Sequence, residues 1–419
     1  MLRRARATAI TAALSLGLLV TFTSTVEAKS LVGSLCTKLL ATQGDGPNRS
    51  VICKQVGKKK IWQPLSAPNP GGNTNPLSGS STNSSTGNQP GSSSCVKLPQ
   101  FTEDFIDPKY VRVVTPIGEQ TGAGGVLAVR SYVHPSQDFA GQVLPIFAPT
   151  DMTLYSSSYY KPLGASDSYQ PEYSLYFDAG CGITVKFFHI KGVVGSVAAA
   201  APKVPSNSSA GQGVTPTKVK AGEQIGWYKL GENSVAFDFW VDNAAITNSF
   251  IVQSHWGSSN ALHSVCPYNF YTPDKKAIWL SKLGAPGSDP IPGTTCGTIT
   301  EGILGTADGM WFSSATTQTD QLVLDGPYQS QIMFTTDASG IVRIGGLNAV
   351  GAPAQMMISS NSPTWRKPSG VLTGDTYCWS SAQQSVKVHL ISSLKMAVIV
   401  GTGSCDSLGT SESGRTYQR

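Results

Sequence analysis

The sequence predicts a mainly β protein that is exported and stabilised by disulfide bonds. Charged residues make up only 13% of the 419 residues, and β-branched and aromatic residues occur in short runs that turn-forming residues separate. Long amphipathic helical patterns are hard to find. The eight cysteines are an even number, which favours disulfides in an exported chain. A chain of this length can form two or three domains, each with its own core.

The first 28 residues are typical of a secretory signal peptide. Three arginines precede an apolar stretch over residues 9–22, and the small residue Ala28 predicts cleavage before Lys29. No later segment reaches the ~20 apolar residues that a membrane-spanning helix needs. We therefore expect a secreted, extracellular protein of the cell envelope without a transmembrane segment. The net charge of +6 is modest and spread along the chain, so no nucleic-acid partner is expected.

Residues 29–66 predict a small module, and residues 67–94 predict a disordered linker. Because so short a module cannot bury a large core, we expect a Cys36–Cys53 disulfide to stabilise it. Its cysteine pair and its end at lysines and Trp62 resemble a short module of exported actinobacterial proteins, which implies surface attachment or binding; a folded spacer is the alternative. The linker consists mainly of Pro, Gly, Ser, Asn and Thr, which cannot offset the entropy lost on ordering.

Residues 95–283 predict a domain of antiparallel strands. Short apolar runs alternate with turns, and several runs alternate apolar and polar residues with a period of two, as half-buried strands do. The Ala/Pro/Ser-rich stretch 196–216 is predicted to be a loop, and residues 273–283 a short helix. The predicted strands are 111–114, 143–148, 173–177, 183–188, 224–228 and 235–241.

Residues 290–408 predict a C-terminal β domain that forms a small barrel or sandwich. A Pro/Gly-rich stretch over residues 284–293 marks the boundary before it, and the last dozen residues are expected to be frayed. Trp311 and Phe312 lie beside glycines and could form an aromatic binding platform, although packing in the core is the favoured interpretation. Carbohydrate binding by this domain is one alternative function. The predicted strands are 321–324, 331–334, 340–344, 386–390 and 396–400.

A histidine and an aspartate four residues apart form the first candidate site. His134 and Asp138 can bring one nitrogen and one carboxylate oxygen to the same metal ion across a bend. Zinc binds such ligands, and catalytic zinc sites take three ligands from protein and one from water. The spacing alone is common, so its meaning depends on the segments that follow it.

Five segments, beginning with this pair, occur in the same order as in a known family. They resemble the M23 metallopeptidases, the lysostaphin-like endopeptidases that cut peptide bridges in bacterial cell walls. Ala148-Pro149-Thr150-Asp151 stands in place of the family's A-P-A-D-G turn, and residues 219–226 are similar to its V-x-x-G-x-x-I-G turn. Together the segments cover residues 112–242, less than a third of the chain. The similar segments are 134–139, 143–154, 182–190, 219–226 and 235–241.

The resemblance implies both a fold and a set of site residues. The fold is the M23-like antiparallel β-sheet of the duplicated-hybrid-motif type. His134 and Asp138 correspond to two zinc ligands, and His189 to one of two histidines that act around the metal-bound water. The family's last strand carries His-x-His, whose second histidine is the third ligand and whose first is the other catalytic histidine. In this chain Asp238 and Ala236 occupy those two positions.

These departures predict a degenerate active site without hydrolytic activity. Ala236 can neither accept nor donate a proton, and such acid–base help contributes ~10²–10⁴-fold in rate. A second carboxylate ligand at Asp238 would also weaken the acidification of zinc-bound water. The favoured hypothesis is therefore an exported binding or scaffold protein of the cell envelope that needs no cofactor. Its expected partner is a cell-wall peptide or glycan, or an envelope protein.

Several alternatives stay open at this point. The chain could be a zinc-dependent endopeptidase of peptidoglycan with the altered ligands His134, Asp138 and Asp238, and Asp242 could replace Asp238 if the strand register differs. One histidine and two carboxylates would also suit a harder divalent ion. Each of these residues could equally be an ordinary turn, cap or buried residue. Segments 181–185, 265–270 and 296–312 resemble a group of exported M23-like proteins whose final strand also lacks the histidine pair.

Overall fold

The structure, a computed structural model, is mainly β. Strands hold 41% of the residues and helices 13%, and the sheets are antiparallel, which confirms the coarse fold class predicted from the sequence. The chain divides into two compact units, residues 1–89 and 90–419. The structure describes residues 42–44, 50–56, 59–64, 95, 97–118, 120–121, 126–162, 165–231, 234–256, 260–313, 324–325, 328–329, 331–347, 355–410 and 414–419.

The described part of the first unit is one three-stranded antiparallel sheet. Its strands, in spatial order, are β1 (Thr42–Gly44), β2 (Ser50–Val56) and β3 (Lys59–Pro64). The predicted signal peptide and the predicted linker lie outside the described residues, as does the pairing of Cys36 with Cys53. These three features therefore stay predictions.

The second unit begins with the strands that carry the candidate site. In chain order they are β4 (Val111–Val114), β5 (Gln120–Thr121), β6 (Val126–Leu127), β7 (Ser131–Pro135), β8 (Val143–Phe147), β9 (Met152–Tyr160), β10 (Glu172–Asp178), β11 (Ile183–Ile190), β12 (Gly192–Val193), β13 (Gln212–Val219), β14 (Gln224–Lys229), β15 (Phe237–Asn243) and β16 (Ser264–Val265). The main sheet has the order β13-β9-β10-β11-β15-β7-β4, and β16 pairs with β15. A smaller sheet has the order β12-β14-β8, and β5 pairs with β6.

The remaining strands form the C-terminal sheet. In chain order they are β17 (Gly309–Ser313), β18 (Leu324–Asp325), β19 (Tyr328–Gln329), β20 (Gln331–Thr336), β21 (Val342–Gly345), β22 (Gln355–Ile358), β23 (Thr376–Ser380), β24 (Ser385–Ser392), β25 (Lys395–Gly401) and β26 (Arg415–Gln418). Eight of them pair in the order β22-β21-β20-β17-β26-β25-β24-β23, whereas β18 and β19 pair with each other. The sheet is nearly closed into a barrel. The Thr364 hydroxyl, which follows the edge strand β22 in the chain, donates a hydrogen bond to the carbonyl oxygen of Ser380 on the opposite edge strand, β23.

The helices are few and short. The α-helices are α1 (Gly195–Ala200) and α2 (Pro273–Ser281), and the 3₁₀ turns are Pro108–Tyr110, Gln137–Phe139, Gln253–Trp256, Asn260–Leu262, Pro267–Phe270, Pro368–Gly370 and Cys405–Ser407. The predicted helix over 273–283 is confirmed. The loop predicted over 196–216 is wrong at both ends, because α1 and the start of β13 lie there. Four consecutive alanines, residues 198–201, favour a helical turn, and β13 forms because β9 offers it a pairing edge.

The chain end is also ordered, contrary to the expected fraying. β26 lies between β17 and β25 in the middle of the C-terminal sheet, and Tyr417 and Arg419 are buried. The Arg419 guanidinium donates to the backbone carbonyls of Ile303 and Asp308. The polar composition of this segment concealed the strand, because backbone pairing on both sides and the one buried ring of Tyr417 stabilise it, and neither produces an apolar run.

The two large sheets share one hydrophobic core, and the C-terminal sheet has a second core on its other face. Met310, Phe312 and Met333 belong to the core that the main sheet forms, whereas Trp311 packs in the second core. The Phe312 ring meets Trp256 edge-on, with 5.8 Å between ring centroids. Trp311 and Phe312 are both fully buried, which confirms the favoured interpretation and removes the exposed aromatic platform.

Three disulfides cross-link the described part of the second unit. They join Cys95 to Cys181, Cys266 to Cys296 and Cys378 to Cys405. Such bonds persist in oxidising compartments, so they are compatible with an extracellular protein. Within the described residues, the helices are all too short or too polar to cross a bilayer.

Candidate functional site

One face of the main sheet carries the predicted site residues. Side chains alternate between the two faces of a strand, and on β15 Phe237 and Phe239 both point into the core. Asp238 therefore projects from the opposite face, together with Ala236 and Trp240. β11 and β7 flank β15 on either side. This face brings together a group of five ionisable side chains, which we call the charged cluster: Arg130, Glu172, His189, Lys191 and Asp238.

Asp238, the predicted third metal ligand, is fully buried and paired with a cation from the chain itself. Arg130 Nε lies 2.6 Å from Asp238 Oδ2. The contact is an ion pair by distance, although the two groups are not aligned as a hydrogen bond. The Arg130 guanidinium also lies within 6 Å of the ring centroids of Tyr132, Phe188 and Trp240, a setting that favours a cation. Arg130 thus neutralises the carboxylate that the resemblance assigns to a metal.

His189 lies at an irregularity in the pairing of β10 with β11. The register of the two strands shifts by one residue between Tyr173 and Leu175, which gives β11 one additional residue there. His189 takes a positive φ of 64° at that place, a conformation that is uncommon for a residue other than glycine. Bulges of this kind re-aim a side chain. The His189 ring is thereby placed with Nδ1 2.7 Å from Glu172 Oε2 and Nε2 3.9 Å from Asp238 Oδ2.

Glu172 holds the other side of the charged cluster. Its carboxylate is fully buried, pairs with the Lys191 ammonium, and accepts a hydrogen bond of 2.9 Å from the Tyr169 hydroxyl. Burial raises the pKa of Glu172, but the hydrogen bonds and charges of His189 and Lys191 outweigh it and hold the pKa at about 2. Glu172 is therefore ionised at neutral pH. It fixes the orientation of the His189 ring, as second carboxylates commonly do for functional histidines.

The electrostatic balance at His189 favours its protonated form. Burial lowers the pKa of His189, but the charge of Asp238 and the hydrogen bond and charge of Glu172 raise it by more, so that the net shift is upward. Arg130 acts against this shift. The His189 ring thus lies between two carboxylates that both favour its cationic form, a position suited to holding the two carboxylates together.

His134 lies on β7 and has a different environment. Its imidazole is mostly buried, and its Nε2 has no hydrogen-bond partner among the described residues. Burial lowers the pKa of His134 to about 4, with Arg112 acting in the same direction and Asp238 against it. The side chain is therefore neutral at physiological pH. A neutral imidazole retains the lone pair that either a metal or a hydrogen-bond donor could use.

Asp138 lies apart from the charged cluster. It belongs to the 3₁₀ turn Gln137–Phe139 and is exposed, and its carboxylate accepts a 2.8 Å hydrogen bond from the Ser136 hydroxyl. This is the turn and cap arrangement that the sequence left open for it. Through the described ranges, no three His, Cys, Asp or Glu side chains are grouped as a metal site requires. As they stand, these donors do not fit a zinc ion, and the set His134, Asp138 and Asp238 stays a prediction.

Asp242, the alternative to Asp238, is engaged elsewhere. Its carboxylate pairs with Lys186 and accepts a 2.7 Å hydrogen bond from Trp240 Nε1. On β15 it lies opposite Thr184, four residues along from the position opposite Phe188 that Asp238 takes. The residue beside His189 is therefore Asp238 and not Asp242.

A cavity of about 740 Å³ lies next to these residues, between the main sheet and the C-terminal sheet. We call it the inter-sheet cavity. Tyr132 and His134 on β7 and Ala236 just before β15 line one side of it. Arg343 and Met357 of the C-terminal sheet line the other side. Its volume falls in the range of small-molecule and peptide sites. Tyr132 connects it to the charged cluster, because its ring also contacts the Arg130 guanidinium.

The sequence interpretation missed three members of the charged cluster. Arg130, Glu172 and Lys191 have no motif of their own, and each became significant only when the sheet placed β10, β11, β15 and β7 side by side. A weak signal was present at Lys191 and Glu172, because both stand at the ends of apolar strands where a charge is out of place. Nothing local marks Arg130 as the partner of Asp238, which lies 108 positions away in the chain.

Fold and site together define a class: a mainly β, disulfide-bonded protein with antiparallel sheets and a buried charged cluster beside a cavity. The chain matches no protein-family model. No curated protein is significantly similar to it in sequence. The similarity to M23 metallopeptidases therefore continues to depend on the motifs alone.

Proposed function

We propose that this protein is a secreted binding or scaffold protein of the cell envelope, built on a degenerate M23-like fold and without hydrolytic activity. In this proposal the inter-sheet cavity holds a cell-wall peptide or a segment of an envelope protein. In an M23 enzyme the corresponding groove holds a peptide while it is cut. In this proposal the groove binds a peptide but does not cut it.

The observation that carries the proposal is the pairing of Asp238 with Arg130 at 2.6 Å. In a hydrolase of this type the corresponding side chain would be available to a metal. Here a guanidinium among three aromatic rings already supplies the positive charge, and a buried ion pair is costly to break. Ala236, where a second catalytic histidine would stand, lines the inter-sheet cavity and adds apolar surface to it.

The test is co-sedimentation of the protein, residues 29–419, with purified insoluble peptidoglycan. Val235 is exposed and lines the inter-sheet cavity, so Val235→Glu should reduce the bound fraction at least severalfold without unfolding the protein. Val204 is also exposed but does not line the cavity, and Val204→Glu is the matched control. Absence of binding by the unmodified protein, or equal binding by both variants, would contradict the proposal.

The enzyme alternative is tested on the same material. Peptidoglycan incubated with the protein and zinc should release no soluble peptides, and Ala236→His should not change this result. Zinc-dependent release by the unmodified protein, increased by Ala236→His and lost in His134→Ala, would instead establish an endopeptidase. Metal content of protein purified without chelator provides a second, independent measurement.

A further inference from the structure

The inter-sheet cavity has a charge pattern that selects among ligands. Two arginines line it, Arg112 on β4 and Arg343 on β21, and the lining residues among the described ranges include no Asp or Glu. The carboxylates that pair with the two arginines, Asp289 and Asp337, lie outside the lining. A ligand inside the cavity therefore meets two guanidinium groups in the lining, whereas their partner carboxylates lie behind it.

The two arginines differ in how available they are. Arg343 is almost fully buried, with Nε 2.6 Å from Asp337 Oδ2 and Nη1 3.1 Å from the sulfur of Met357. Arg112 is 39% exposed, and its Nε lies 2.9 Å from Asp289, which is 81% exposed. An ion pair so open to water contributes little free energy. A ligand anion can therefore replace Asp289 at the Arg112 guanidinium or bind beside it. Arg112 is the residue able to bind an incoming anion.

The rest of the lining suits an apolar group joined to amides. Val235 and Met357 are large apolar side chains that the protein leaves more than half exposed, and both line the cavity. Covering them would bury apolar surface. Tyr132, Gln137 and Ser234 supply neutral hydrogen-bonding groups of the kind that peptide amides need. A simple fatty acid would leave these groups unsatisfied.

We propose that the inter-sheet cavity recognises the free C-terminal carboxylate of a short peptide that ends in an apolar residue, with Arg112 as the anion contact. The inference rests on the proposed function, because it names the chemical group by which the same cavity holds its ligand. A guanidinium binds a carboxylate through two parallel hydrogen bonds, so a peptide lacking the free carboxylate is discriminated against.

The experiment measures binding of two probes to residues 29–419 by fluorescence anisotropy. The probes are N-fluoresceinyl-Ala-Ala-Leu as the free acid and the same peptide as the C-terminal amide. The free acid should bind at least about tenfold more tightly, since charged hydrogen bonds of this type are stronger than neutral ones. Arg112→Gln should remove that difference. Lys109→Gln is the matched control, because Lys109 is an exposed cation that pairs with Asp107, lies three residues before Arg112 and does not line the cavity.

A gain-of-affinity variant separates ligand binding from a general loss of fold. Asp289→Asn removes the carboxylate that competes for Arg112, so it should tighten binding of the free acid by up to about fivefold and leave the amide unchanged. Equal binding of acid and amide, or weaker acid binding in Asp289→Asn, would overturn the inference while leaving the proposed function intact. Failure of both probes would overturn the inference alone if peptidoglycan still co-sediments, and the proposed function as well if it does not.

Discussion

At the scale of single residues, the charged cluster is organised around two buried carboxylates that each have a cation. Asp238 has Arg130, and Glu172 has Lys191 and His189. A buried carboxylate is costly unless an opposite charge compensates it. The charged cluster therefore depends on every member being present. Removing one partner of an ion pair should lower the free energy of unfolding by far more than the intact pair raises it.

Arg130→Met is predicted to lower the free energy of unfolding by roughly 3 kcal/mol, because it leaves the buried Asp238 carboxylate without its counter-ion. Urea unfolding followed by circular dichroism measures the change. The double variant Arg130→Met, Asp238→Leu should recover part of the loss, since it removes the stranded charge as well.

Lys220→Met is the control for this prediction. Lys220 pairs with Asp151 in an exposed ion pair, and exposed pairs contribute little. A loss in Lys220→Met as large as that in Arg130→Met, or a double variant no more stable than Arg130→Met alone, would show that Asp238 does not depend on Arg130.

Asp308 provides a prediction of pH dependence. Burial raises the pKa of Asp308 from 3.8 to about 6, against the opposing charge of Arg419. Between these two values the folded protein binds a proton that the unfolded chain releases, so stability falls as pH rises through this window and is level above it. Asp308→Asn should therefore be more stable than the unmodified protein at pH 7.5, by about 1–2 kcal/mol after allowance for partial solvent screening.

Thermal or urea unfolding from pH 4 to pH 8 measures this effect. The advantage of Asp308→Asn should shrink as pH falls through this window, because the aspartate becomes protonated in both states only below about 3.8. An advantage that stays constant with pH, or grows as pH falls, would contradict the assignment.

At the scale of elements, β26 shows that a strand of mostly polar residues can be essential to the stability of a sheet. It pairs with β17 on one side and β25 on the other, so its removal would open the C-terminal sheet at its centre. Tyr417→Ala is predicted to cost about 3 kcal/mol, because it removes a buried ring from the second core. Thermal unfolding provides the measurement.

Thr416→Ala is the comparison for β26. Thr416 is on the same strand but only partly buried, so the substitution should cost less than about 1 kcal/mol. If the chain end were frayed, as its composition indicated, both variants would unfold at the same temperature as the unmodified protein.

At the scale of the whole molecule, the shared core predicts that the two large sheets unfold together. Phe312 of the C-terminal sheet packs against Trp256 within the core of the main sheet. Phe312→Ala should lower the free energy of unfolding by roughly 3–5 kcal/mol, and hydrogen exchange should become faster by the same factor in β15 and in β24. Exchange that accelerates in β24 alone would show that the sheets are independent.

The same packing bears on any experiment with a fragment. A chain of residues 290–419 would expose Met310, Phe312 and Met333, which the main sheet covers. Carbohydrate binding by the C-terminal region is therefore best tested in the complete protein. Large exposed apolar patches would otherwise produce nonspecific association.

Local patterns identified many of the strands but few of the contacts in the site. The apolar runs at 111–114 and 183–188 correspond to β4 and β11 because alternation of apolar and polar residues is a property of the segment itself. β9 and β13 were missed because their serines and threonines interrupt the apolar pattern. Their pairing with neighbours supplies what composition does not.

By itself the sequence determined the mainly β class, the positions of four of the eight strands in the main sheet, β4, β10, β11 and β15, and the helix at Pro273–Ser281, since each depends on residues close together in the chain. It also identified His134, His189, Ala236 and Asp238 as residues of interest. Only the tertiary structure decided that Asp238 pairs with Arg130, that Asp138 lies apart, and that residues of both sheets, two arginines among them, line one cavity. The reason is physical: ion pairs, burial and cavities depend on which strands become neighbours, and strand order is set by the packing of the whole molecule and not by any one segment.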